Sequence, residues 1–128
     1  PPLRKKTIDP QWTESPMTIG QLLMFLAVEW LRESGAIAVL ASSNPSLAQK
    51  LLLPMGFRVL DPLFSYEFSP LPVVNLALLV NSTEYVQRAS SATGKRTRQL
   101  PLSALEQDIK TYIDDRHARY VPEVLSSC

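Results

Sequence analysis

The chain has 128 residues, 45% hydrophobic and 20% charged, with a formal net charge of +1. That suffices for one domain with a core and is too apolar for a disordered chain, while the near-zero charge gives no global pull toward nucleic acid or acidic membranes. The one cysteine, Cys128, excludes an internal disulfide, and the longest apolar run, Leu22–Val28, is too short to cross a bilayer, so the expected setting is cytoplasmic.

The opening Pro1-Pro2, without an initiator Met, reads as an excised domain, a processed product or a piece of a longer protein. Arg4-Lys5-Lys6 precede a short strand expected to end near Ile8, with Asp9-Pro10 as its turn. Thr18 and Gln21 form a Thr-x-x-Gln capping box, so a helix is predicted from about Ile19 to Arg32. Its apolar residues occupy nearly every face, which predicts cover on more than one side. Gly35 suits the left-handed position past the helix end.

Ala36–Ala41 has no polar residue and reads as a central parallel strand. Asn44-Pro45 then supplies an N-cap and a first-turn proline for a second helix, from Pro45 to about Leu53, ended by Gly56. Phe57–Leu60 and Leu63–Phe68 read as strand interrupted at Asp61-Pro62, paired as a hairpin with Val73–Val80. Gln87–Gln99 carries Arg88, Lys95, Arg96 and Arg98 among small polar residues and reads as a basic loop. Ser103 and Glu106 form a second capping box, followed by an amphipathic helix with Leu105, Ile109, Tyr112 and Ile113 on one stripe.

The order strand, capped turn, apolar helix, strand, Asn-capped helix, Gly56-Phe57, strand, strand over Ile8–Val80 resembles the C-terminal half of a GNAT-type N-acyltransferase domain. The resemblance implies an α/β fold, a mixed sheet with flanking helices plus the C-terminal amphipathic helix, with the domain's first three strands upstream of Pro1, supplied by another chain, or missing from a reduced relative of the domain. It divides the chain into a GNAT-like half-domain over residues 1–81, a basic loop over 82–101 and a C-terminal helix over 102–128. It further implies acyl transfer from acetyl-CoA, a longer acyl-CoA or an acyl carrier to an amine. The donor would lie on the backbone of Met17, Thr18, Ile19 and Gly20 and on Asn44, because free N–H groups at a helix start attract phosphate. Against the family pattern, Glu14, Met17 and Ile19 replace Arg/Gln, Gly and Gly/Ala, and Leu52 falls where a proton-donating Tyr is usual. The alternative is therefore a catalytically silent module acting in protein interaction, with a protein partner or a second copy completing the sheet.

No catalytic residue is assigned from the sequence. Tyr66, the phenol nearest the expected cleft, and Glu67, a carboxylate among aromatics, are the candidates, with Glu67 read as solvent-facing by alternation. The single His117 follows Asp114 at helical spacing and reads as part of a solvated face. No Cys/His cluster suggests a metal. Trp12 and Trp30 read as packing or partner contacts.

Overall fold

Three of the four helix starts among the described residues are fixed by a side chain that accepts an otherwise free amide. In the computed structural model, which describes residues 18–127, the Gln21 N–H donates to Thr18 Oγ1 at 3.1 Å and the Thr18 N–H to Gln21 Oε1 at 3.0 Å, opening α1 (Ile19–Glu33). The N–H groups of Gly35 and Ala36 return to the carbonyls of Arg32 and Leu31, and Gly35 takes φ +100° to close that end. The chain then enters β1 (Ala38–Ser43).

Asn44 Oδ1 accepts the Leu47 N–H at 2.8 Å and starts α2, residues 45–55. This helix runs past the expected end at Leu53. Its middle, Ala48–Leu52, is π-helical, and the Leu53 N–H bonds the Ala48 carbonyl. Pro54 has no N–H and adds no bond of its own to the ladder. Gly56, at φ +114°, ends the helix: its N–H bonds the Leu53 carbonyl and the Phe57 N–H bonds the Leu52 carbonyl.

β2 (Arg58–Val59) and β3 (Val74–Leu79) follow. Among the described residues the sheet has the order β1-β3-β2, and both pairings are antiparallel. Among the described strands this differs from two expectations: both pairings are antiparallel, and β1 stands at the end of the order rather than its centre. The central strand is β3, in which every residue except Asn75 is buried. The hairpin between the two later segments forms, but only Arg58 and Val59, the Leu60 amide and an isolated bridge at Phe64 meet β3. Tyr66–Ser69 is a turn closed by the Ser69 N–H on the Tyr66 carbonyl, not strand. Pro62, Pro70 and Pro72 take ladder donors out of this stretch.

The expected basic loop is helical over much of its length. α3 (Thr83–Thr93) buries Tyr85, Val86, Ala89 and Ala92, and irregular backbone begins at Gly94, φ +70°. α4 (Ala104–Ser126) starts on the second capping box as expected, and packs on β2 and β3. The core joins Phe25 and Val28 of α1, Leu52 and Met55 of α2, all of β3's inward face, and Tyr85 of α3. Phe25 and Tyr85 stack with ring centres 6.0 Å apart.

A chain of polar contacts ties the helices together beside this core. The buried Tyr85 hydroxyl donates to Glu29 Oε2 at 2.8 Å. Arg32 Nε donates to Asn81 Oδ1 at 3.1 Å, and Asn81 Nδ2 donates to Glu106 Oε2 at 2.9 Å. Burial and then the Glu29 carboxylate push the Tyr85 phenol well above its ordinary pKa. The Asn81 amide and the Ser103 backbone hold the Glu106 carboxyl below its ordinary range.

Candidate functional site

Of the residues expected to hold an acyl donor, Thr18 and Asn44 use their side chains to cap their own helices. Thr18 Oγ1 and Asn44 Oδ1 are both taken by helix amides. Ile19 is half-buried and Gly20 exposed; a methyl group at Gly20 would meet nothing nearer than Thr18 Oγ1 at 3.9 Å. Met17 lies outside the described residues, as do Trp12 and the strand expected near Ile8. Leu52, at the place of the usual phenol, is buried in the core.

Tyr66 and Glu67 are both exposed at the tip of the turn before β3. Tyr66 stacks on Phe68 at 5.3 Å and meets Phe64 edge-on at 5.4 Å. Alternation does not apply to Glu67, because the segment is a turn; it faces solvent for that reason.

A pocket of about 150 Å³ opens elsewhere, where β2, the start of α3 and α4 meet. Arg58, Ser82, Thr83, Glu84, Lys110 and Asp114 line it. Its charges neutralise one another: Arg58 pairs with Glu84 at 2.6 Å, and Lys110 with Asp114 at 2.6 Å. Arg88 bonds the other Glu84 oxygen at 2.9 Å. Ser82 begins α3 without a side-chain cap, and its buried hydroxyl has no hydrogen-bond partner among the described residues.

His117 stands beside this pocket and is half-buried, which corrects its reading as a solvated surface residue. The Val59 N–H donates to its Nδ1 at 2.9 Å. Its Nε2 lies 3.5 Å from Arg58 Nη1. Burial first, and then the Arg58 charge, lower its pKa; Asp114 and Glu84 oppose them. Its neighbour Arg116 donates to the Leu60 carbonyl, pairs with Asp61 at 2.7 Å, and lies 5.4 Å from the ring centres of both Tyr112 and Tyr120.

The third feature is apolar. α1 is not covered on all sides as its composition predicts. Leu23, Leu26 and Trp30 are 59%, 42% and 66% exposed and follow one another at three- and four-residue spacing. Exposed Gly20 and Ala27 extend the same surface, and no charged residue occurs between Ile19 and Val28. On β1, Leu40 is 74% exposed. The signal for this face was present in the sequence, since α1 has more apolar positions than one buried stripe uses.

No protein-family model matches the chain, and no curated protein and no solved structure matches it. Among the described residues no group of three or more His, Cys, Asp or Glu could hold a metal ion, and no helix is long and apolar enough to cross a membrane.

Proposed function

We propose that the chain is a GNAT-like scaffold that works by protein recognition through the outer face of α1. The exposed row Leu23, Leu26, Trp30 carries this reading. Anchors at this spacing are the pattern by which a helix enters an apolar groove. Tryptophan is the residue type most enriched among side chains that dominate binding energy. A row of this kind left in water is a liability unless something covers it.

The test uses a photo-reactive side chain at position 26 and the Trp30→Ala variant. Trp30 is exposed, so its removal should change folding stability by no more than about 0.5 kcal/mol. Losing a central anchor should weaken binding by about 2 kcal/mol or more, roughly 30-fold. The expected result is a crosslinked adduct that Trp30→Ala removes; an adduct of twice the chain's mass would identify a second copy as the partner. No adduct, or one indifferent to Trp30→Ala, removes the proposal.

The element order favours a second reading. The sequence α1, β1, Asn44-capped α2, Gly56-Phe57, β2, β3 follows the order that the resemblance implies. In this reading the chain transfers an acyl group from an acyl-CoA or acyl carrier to an amine, with the donor on Met17–Gly20 and Asn44. Donor at a hundredfold excess over its Kd would add about 2.7 kcal/mol to stability. Thermal unfolding with acetyl-CoA and with a long-chain acyl-CoA decides it: a raised Tm with either supports acyl transfer, and an unchanged Tm with both counts against it.

A further inference from the structure

We propose that His117 is an acid-released latch that holds α4 on the outer edge of β2. The argument begins with the sheet. The Leu60 N–H bonds the Asn75 carbonyl at 2.9 Å, so that residue faces β3. In an antiparallel pair the next residue along, Val59, turns its N–H outward. An outward amide on a buried strand end needs an acceptor, because a buried unpaired N–H is costly. Val59 is fully buried, and His117 Nδ1 is the acceptor.

An imidazole that accepts at Nδ1 carries its proton at Nε2 when neutral. Taking up a second proton places it on Nδ1, directly against the Val59 N–H. Acceptor becomes donor, and the hydrogen bond is lost. The cation so formed also faces the Arg58 guanidinium, 3.5 Å from Nε2. The charged groups around the ring are Arg58 from β2, Glu84 from α3, and Asp114 from α4 itself. Glu84 is already taken by Arg58 and Arg88, and Asp114 by Lys110. Both carboxylates favour the charged ring, but their pull is shared with these partners and is outweighed by burial and Arg58. Arg116, the other α4 side chain on this edge, is permanently charged and does not follow pH over this range.

The sign follows from which state binds the proton more readily. The folded chain resists protonation of His117, so the latch contributes fully above about pH 6.5, the ordinary histidine value, and its contribution falls as pH drops further. Release would bare the Val59 edge and widen the pocket between β2, α3 and α4.

Amide hydrogen exchange of the full chain, followed by NMR from pH 7.5 to 5 and corrected for intrinsic rates, tests the latch. Protection of the Val59 amide should fall by up to about tenfold per pH unit as His117 titrates, since one proton is taken up. In His117→Asn, whose carboxamide oxygen accepts without titrating, Val59 protection should be flat. Flat protection in the parent chain, or the same fall in His117→Asn, overturns the proposal. Imidazole nitrogen shifts of the unaltered chain provide a check that needs no variant. Nδ1 should be unprotonated at pH 7.5; a proton on Nδ1 there, or titration at or above the ordinary histidine value, also overturns it.

Discussion

Gly56 is required by its backbone, which lies at φ +114°, where a side chain is strained; a methyl group there would make only ordinary contact, 3.4 Å from Tyr85 Cβ. Gly20 has no such constraint: it sits in α1 with open space around it. The two Gly→Ala substitutions should therefore diverge. Gly56→Ala should cost about 1–3 kcal/mol, whereas Gly20→Ala should stabilise by up to about 1 kcal/mol. Urea unfolding of the two variants measures both. An equal response would mean that the left-handed backbone at Gly56 does not matter.

At the scale of the element, the caps carry the most local information. Thr18 with Gln21, Asn44 with Pro45, and Ser103 with Glu106 each mark a helix start from a few residues, and all three helices begin there. Ser103→Ala should cost about 1 kcal/mol, read from the urea midpoint at unchanged slope. Glu106 should amplify the loss, since its carboxylate serves both the Ser103 N–H and Asn81. Two elements were less legible. α3 hides behind serines and threonines, and its buried row is Tyr85, Val86, Ala89 and Ala92, of which two are alanines. The spacing is helical, but small residues contribute little to a hydrophobic pattern. The direction of β1 was not legible either, because nothing in Ala38–Ser43 records that its neighbour is β3 running the opposite way. Thr18 and Asn44, two of the residues expected at the donor, are helix starts as read, and their side chains serve as the caps. The contact between His117 and Val59 joins positions 58 residues apart, and no local pattern announces it.

For the whole molecule, α4 is a structural member rather than an appendage. Val124 and Ile113 are buried, Gln49 Nε2 bonds the Val124 carbonyl at 2.7 Å, and two α4 side chains serve the β2 edge. Removing residues 103–128 should therefore abolish cooperative unfolding, not merely a binding surface. The measurement is near-ultraviolet circular dichroism with a urea titration. A truncated chain that keeps its aromatic signal and a sharp transition would show that the sheet and first three helices stand alone.

The sheet order has a consequence for synthesis on the ribosome. β1 pairs only with β3 among the described strands, and β3 begins about thirty residues after β1 ends. At translation rates of about 5–20 residues per second, β1 waits roughly 2–6 s for its neighbour to be made. During that interval an uncharged strand, Ala38–Ser43, leaves the exit tunnel beside the apolar α1 before β3 is made. The nascent chain is most vulnerable to aggregation in that window, and a chaperone acting early would protect it there.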